Sequence, residues 1–304
     1  MLSPKEWLAE YQEAESNSDL YVMHELEIQI FLETIAIVKR GGYVSVSGKK
    51  IVFPDPSSLV KDSVLYDSKL ELDDSSVQYP TEYAVRNQDC LLAGRNLREE
   101  GLNPVVLNMA NRQNPGGGVM HGARAQEESI FRRSNIFLSL YQFASYAEQY
   151  GLKQRAEQYP MDRNYGGAYS PDVIVFRGEQ SEGYPLLDNP YALSFVTVAA
   201  LHDPALTSSH HLVSSALEGT RKRMQTILRI ALRHGHDAIV LGAWGCGAFH
   251  NPPRDIARLF HETLESPTFK GRFKKVVFAI LDDHNARKRH NPSGNFLPFQ
   301  REFV

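Results

Sequence analysis

The residues best suited to chemistry in this chain are two consecutive glutamates, Glu127 and Glu128, in the run Gln126-Glu127-Glu128. They follow three consecutive glycines, Gly116, Gly117 and Gly118, which are themselves preceded by Asn108 and Asn111. Carboxyl groups give and take protons, as general acid–base catalysis requires. Asparagine amides both donate to and accept from sugar hydroxyls. Glycines without a Cβ let the backbone approach a ligand closely and turn its N–H groups toward oxyanions. The spacing is neither GxGxxG nor GxxxxGK[ST], and no P-loop lysine accompanies it, which speaks against an ATPase. Each feature also has a plain reading: a glycine run makes a turn, and an acidic residue near a helix start answers the helix dipole. The combination of Asn-x-x-Asn, triple glycine and Gln-Glu-Glu in one loop goes beyond both. Neighbouring helical residues point ~100° apart, so the two glutamates are expected to have separate tasks.

A second small-residue loop, Gly245-Cys246-Gly247-Ala248-Phe249, has the backbone freedom to hold a pyrophosphate on its N–H groups. Phe249 reads equally as a core aromatic at a strand–helix turn. Cys246 lacks a recognisable histidine partner, so a thiol nucleophile is discounted. The eleven histidines show no HExxH or Cys/His zinc spacing, and no metal site is expected. The end of the Val196–Ala200 stretch, with Leu201, His202 and Asp203, is a candidate wall for a base.

These loops need elements to hold them. Ser3 with Pro4 marks a helix start. A helical period runs from Met23 to Lys39 through Ile28, Ile30, Phe31, Thr34, Ile35 and Val38, and Gly41-Gly42 stops it. Tyr43 to Phe53 alternates around Ser47-Gly48 as a hairpin. Residues 54–80, rich in Pro, Asp and Ser, read as a connector with one or two short strands. Beyond it come a helix over 89–100 ended by Gly101, a strand over 104–108 and one helix from Ala125 through Tyr141. Strands over 172–176 and 193–199, a helix over 212–234 and a strand over 237–241 follow. A helix from Pro253 and a last strand over 275–281 complete the pattern. Strands alternating with helices predict a three-layer α/β/α domain, with both glycine-rich loops at strand ends, where such sheets bind ligands.

The 304 residues carry a formal charge of -3 and are 42% hydrophobic, ordinary for a globular protein with a real core. That balance speaks against a strongly basic nucleic-acid binder. Two separated cysteines make no disulfide framework. The N-terminal stretch lacks the apolar run of a signal peptide, and no ~18-residue apolar run predicts a membrane span. A soluble, cytoplasmic protein is expected. The helix RKRMQTILRIALR is basic on its polar side, a solvated face that can also attract a polyanion.

The run NPGGG followed by QEE resembles the glycohydrolase motif of the poly(ADP-ribose) glycohydrolase family, most closely its microbial-type branch. ETIAIVKRGGYVSVSGKKIVF at 33–53, YSPDVIVFRGE at 169–179 and VLGAWGCGAFHNPP at 240–253 are similar to further family blocks, so the likeness spans roughly 25–282. The resemblance implies a macrodomain with a central mixed sheet over 81–304, behind an N-terminal helical and hairpin extension and connector over 1–80. It implies hydrolysis of ribose–ribose O-glycosidic bonds without a cofactor, with Glu128 as general acid/base and Glu127 on hydroxyls of the released ribose. Asn108, Asn111, Gly116, Gly117, Gly118, Val119 and Gln126 would contact the ligand from the first loop. Gly245, Cys246, Gly247, Ala248 and Phe249 would do so from the second, Phe249 beside the distal ribose. The partner would be poly(ADP-ribose), or an ADP-ribosylated protein or nucleic acid. Two alternatives stay open: a hydrolase removing single ADP-ribose groups from an acceptor, and a non-catalytic ADP-ribose reader.

Overall fold

Ser3 accepts from the Glu6 N–H while Glu6 accepts from the Ser3 N–H at 2.7 Å. This reciprocal cap starts α1 (Pro4–Ser16). The structure, a computed structural model, describes residues 2–72, 77–282 and 286–304. After α1 come α2 (Leu20–Arg40), β1 (Gly42–Val44), β2 (Lys50–Val52), α3 (Ser57–Asp62), β3 (Val64–Tyr66) and β4 (Glu82–Arg86). Then follow α4 (Cys90–Glu99), β5 (Pro104–Met109), α5 (Gln126–Arg133), α6 (Phe137–Leu140), β6 (Gly167–Arg177) and β7 (Leu186–Val198). The chain continues through α7 (Ser214–Arg233), β8 (Ala238–Leu241), α8 (Pro253–Leu264), β9 (Lys275–Ala279) and α9 (Phe296–Phe303). The chain divides into two compact units.

The first unit holds residues 1–63, 113–159 and 170–192. In it, Trp7, Tyr11, Met23, Leu26, Ile30 and Tyr184 form one apolar cluster on α1 and α2. Ile37, Tyr43 and Phe176 form another under the β1–β2 hairpin. The Arg132 side chain of α5 is fully buried and pairs with Glu27 of α2 at 2.9 Å. Thr34 donates its hydroxyl to the Arg132 carbonyl at 2.5 Å, and Arg132 donates to the Ala123 carbonyl at 2.6 Å. These bonds tie α5 and the loop before it to the long helix α2.

The second unit holds residues 64–112, 160–169 and 193–304. It holds β3, β4, β5, β8, β9, the start of β6 and the end of β7 of a seven-stranded sheet with the order β3-β6-β7-β5-β8-β9-β4, in which β3 is antiparallel to β6. The β5–β7, β5–β8, β8–β9 and β4–β9 pairs are parallel. Alternate residues of a strand face opposite sides. Val105, Leu107, Ile239, Leu241, Val276 and Phe278 share one apolar core with α7, α8 and α9. The intervening residues face α4. A Cβ at Gly94 would come within 2.8 Å of Val106 Cγ2, so only glycine lets α4 sit this close to the sheet. Helices therefore cover both faces, and the expected three layers with a mixed central sheet are present.

Local expectations and structure differ in five places. The single helix expected from Ala125 through Tyr141 is broken at Ser134. That residue is extended and bridges Val175, its hydroxyl donating to the Ile130 carbonyl at 2.7 Å. Asn135 accepts from the Ile174 N–H at 2.8 Å. Serine and asparagine here compete with the helix for its own backbone groups. The strands expected at 172 and 193 begin earlier, at Gly167 and Leu186. β4 and α9 were not anticipated. The connector contains β3 as expected, while its residues 73–76 lie outside the described ones.

Candidate active site

In the first unit the glycine run and the two glutamates come together. The Gly116 N–H donates to Glu127 Oε1 at 3.1 Å, and the Gly118 N–H to Glu128 Oε1 at 2.8 Å. The Gly117 N–H donates to the Asn114 carbonyl, and Val119 to that of Gly116. The sequence suggested that these N–H groups turn toward a ligand oxyanion. Their acceptors are instead protein groups, two of them the carboxylates themselves. The reason is geometric. α5 begins at Gln126, so Glu127 and Glu128 sit in its first turn and reach back to the loop. Gly117 has φ +55°, and a Cβ there would overlap Glu128 Oε1 and stand 3.1 Å from Glu127 Oε2. The triplet is thus a cradle for two carboxylates, each on its own N–H, which is how adjacent residues acquire different positions.

Both glutamates are buried. Glu128 Oε2 is also buried and has no hydrogen-bond partner among the described residues. A buried carboxyl oxygen without a hydrogen bond costs free energy, which sets this atom apart from Glu128 Oε1 on the Gly118 N–H. Val119 is buried beneath the loop, and Gln126 is half-buried at the first position of α5. Tyr141, Tyr146 and Tyr150 cluster near Glu127 with ring centroids 4.5–6.0 Å apart. Burial raises the phenols of Tyr141 and Tyr146, and the Glu127 charge adds to this. They stay protonated, and the Tyr146 hydroxyl donates to the Pro115 carbonyl at 3.5 Å. The Tyr159 hydroxyl is buried without a hydrogen-bond partner among the described residues and is raised for the same reasons.

In the second unit Asn108 lies on β5, fully buried, and donates to Thr197 of β7 at 3.3 Å. Asn111 follows β5 in a half-buried loop. The Gly245–Phe249 loop leaves β8, as expected. Asn251 staples it, donating through Nδ2 to the carbonyls of Leu201 at 2.7 Å, Gly245 at 3.1 Å and Phe249 at 3.2 Å. Trp244 donates to the Val198 carbonyl at 3.0 Å and fixes the loop's entry. The N–H groups of Gly245, Gly247, Ala248 and Phe249 donate to no acceptor among the described residues. The sequence-based expectation that they hold an oxyanion needs these N–H groups free of protein acceptors, and among the described residues they are. Phe249 is half-buried with its ring against His202, centroids 4.9 Å apart. His202 and His250 flank Asp203 at 3.1 and 2.5 Å. Cys246 is fully buried, and that burial pushes its thiol well above the ordinary range, which leaves little thiolate. Among the described residues, no group of three His, Cys, Asp or Glu side chains is placed to hold a metal ion.

A family model described as the microbial-type PARG catalytic domain matches residues 32–178. The crystal structure of poly(ADP-ribose) glycohydrolase from Thermomonospora curvata is 32% identical, covering 91% of this chain and 99% of that one, with a TM-score of 0.73. The same enzyme bound to the inhibitor ADP-HPD matches at 32% identity over the same shares, with a TM-score of 0.71. The enzyme from Deinococcus radiodurans in complex with ADP-ribose matches at 28% identity over 83% of this chain and 98% of that one, with a TM-score of 0.63. Among curated proteins, none matches.

The chain belongs to the microbial-type poly(ADP-ribose) glycohydrolase family. It is a glycosidase-type hydrolase of macrodomain-like α/β fold. No helix among the described residues is long and apolar enough to cross a membrane. Three features of the site were missed from the sequence. Asn251 carried a weak signal, an asparagine before Pro252-Pro253 at a helix start. The tyrosine cluster by Glu127 carries no motif, and what the sequence hid in the Asp203 group is His250, 47 positions away, which joins the His202 and Asp203 already singled out.

Proposed function

We propose that this protein is a poly(ADP-ribose) glycohydrolase that cuts the ribose–ribose O-glycosidic bond, with Glu128 as general acid and base. One observation carries the assignment: Glu128 is buried, one of its oxygens is fixed by the Gly118 N–H, and the other has no partner among the described residues. In its acid form Glu128 gives its proton to the leaving ribose oxygen as the C1″–O bond breaks and an oxocarbenium-like centre develops. The resulting carboxylate then takes a proton from water as the water oxygen bonds to C1″. The proton balance closes on one residue, and no cofactor enters.

Glu127, held by Gly116, accepts hydrogen bonds from hydroxyls of the released ribose. The glycine triplet positions both acids. Val119, Gln126, Asn108 and Asn111 supply packing and amide groups for the ligand. The four N–H groups of the Gly245–Phe249 loop bind the pyrophosphate without a cationic side chain, Cys246 contributes backbone only, and the Phe249 ring packs by the distal ribose. The substrate is poly(ADP-ribose), as the names of the related enzymes suggest.

The test is a substrate comparison with the wild-type protein, in which released ADP-ribose is quantified from polymer and from a mono-ADP-ribosylated protein. Release from polymer supports the proposal. Release from the mono-modified protein alone makes it an acceptor hydrolase, and ADP-ribose binding with no release from either makes it a reader.

A further inference from the structure

A basic cavity lies in the second unit, formed between the start of α8, the 209–211 turn and the 289–294 segment. Its volume is about 180 Å³, smaller than the roughly 300–1,000 Å³ of sites for drug-sized ligands. It is therefore too small for a nucleotide and of a size for a phosphoryl group. Five basic side chains line it: His210, His211, Arg254, Arg289 and His290. Among the described residues, no carboxylate lines it.

His211 is compensated by the buried Asp255, at 2.9 Å. Arg254 and Arg289 are exposed and make no ion pair or hydrogen bond with any described residue. On a chain with net charge -3, two unpaired guanidiniums on one cavity concentrate positive potential locally. Arginine's planar fork suits phosphate oxygens. Arg254 also sits in the first turn of α8, twelve residues long, where the helix dipole favours an anion.

The cavity adjoins the loop assigned above to the pyrophosphate. His290 donates from Nε2 to the Cys246 carbonyl at 2.8 Å, so it is a wall of the cavity and a brace of the loop at once. Pro252 and Pro253, which line the cavity, follow Asn251, the loop's staple. Two anion sites thus share one segment of chain, 245–254. A single ADP-ribose has one pyrophosphate and needs one such site. A polymer carries pyrophosphates at regular intervals and can use both.

We propose that the Arg254–Arg289 cavity is a phosphate-binding subsite that holds a pyrophosphate of a neighbouring unit of poly(ADP-ribose). The inference rests on the polymer reading of the active site. It gives the enzyme a preference for chains over single ADP-ribose groups that the catalytic loop alone does not provide.

The test uses full-length Glu128→Gln protein, which allows binding to be measured without turnover, with and without Arg254→Gln and Arg289→Gln together. Both arginines are exposed, so the fold should tolerate the change. Polymer affinity is expected to fall about tenfold and the salt dependence of log K to flatten by about 1.4, at about 0.7 for each lost charge contact. ADP-ribose affinity should stay within about twofold. Unchanged polymer affinity would overturn the proposal. So would a parallel loss of ADP-ribose affinity, which would place the cavity in the monomer site, or single-stranded DNA competing as strongly as polymer. A protein that bound no polymer at all would refute the active-site reading itself. Inorganic pyrophosphate titrated into the ADP-ribose-saturated protein then tests the subsite alone. Binding abolished by the double variant supports it, and no binding refutes it.

Discussion

Replacing Gly117 by alanine tests whether the glycine triplet exists to hold two carboxylates. Gly117 has φ +55°, a conformation that costs an L-residue roughly 1–2 kcal/mol. The new Cβ would overlap Glu128 Oε1 and lie 3.3 Å from Glu128 Cδ and 3.1 Å from Glu127 Oε2. The Glu128 carboxylate must move, and the 2.8 Å bond from Gly118 goes with it. A hydrogen bond to a charged group is worth about 1.5–3 kcal/mol. The total loss is therefore about 2.5–5 kcal/mol. Gly151 supplies the control, because it has φ +77° with nothing within 4 Å of its Cβ position. Gly151→Ala should cost only the backbone part, about 1–2 kcal/mol. Displacing a catalytic group by about 1 Å costs on the order of 10²-fold in rate. Urea unfolding gives the stability difference between the two variants, and ADP-ribose release gives kcat. If Gly117→Ala matched Gly151→Ala in both stability and kcat, the cradle argument would be wrong.

Cys246→Ala should keep kcat within about threefold of wild type, because the buried thiol is raised and cannot serve as a nucleophile. Loss of turnover in a folded variant would contradict this. Glu27→Ala leaves the buried Arg132 guanidinium without its counter-charge and should cost about 3–5 kcal/mol. A urea midpoint equal to wild type would count against the anchoring role given to this pair. Stability should also depend on pH through His234. Burial first, then the charges of His236 and Arg233, pull His234 down to about 4. It stacks on Tyr169, with ring centroids 3.5 Å apart, and bonds the Tyr66 hydroxyl at 2.9 Å. In the unfolded chain it titrates near 6.5, so between about 4 and 6.5 the unfolded state binds more protons. This contribution is present above 6.5 and lost as pH falls toward 4. The urea midpoint should drop between pH 7 and pH 5, and His234→Gln should drop less. Equal drops would refute the assignment.

That the glycine run and the two glutamates belong together was legible in the sequence because these residues are local. Triple glycine and Gln-Glu-Glu fall within thirteen residues, and a loop–helix junction can be read from such a run. The same holds for the cap at Ser3, Pro4 and Glu6, where one turn of helix carries the whole signal. What was not legible depends on distant partners. Residue types alone do not say that the Gly116 and Gly118 N–H groups point at the protein's own glutamates, since that follows from how α5 starts. The Glu27–Arg132 pair joins residues 105 positions apart. Asn251 reaches Leu201, 50 positions away. The break at Ser134 was hidden because Ile130, Phe131, Phe137 and Leu138 keep a helical period across it. The bridge to Val175 decides the local structure there. β4 alternates only weakly, with one buried residue in five, and joins the sheet through its pairing with β9.

The central claim is that the buried, unpaired oxygen of Glu128 moves the proton in the hydrolysis. Glu128→Gln keeps the side chain's size and an oxygen for the Gly118 N–H, and removes the acid. The decisive measurement is release of ADP-ribose from poly(ADP-ribose) by this variant, beside its affinity for ADP-ribose by calorimetry. The account predicts no detectable release with ADP-ribose affinity within about tenfold of wild type, roughly 1.4 kcal/mol. Turnover at the wild-type rate by the folded variant would contradict it.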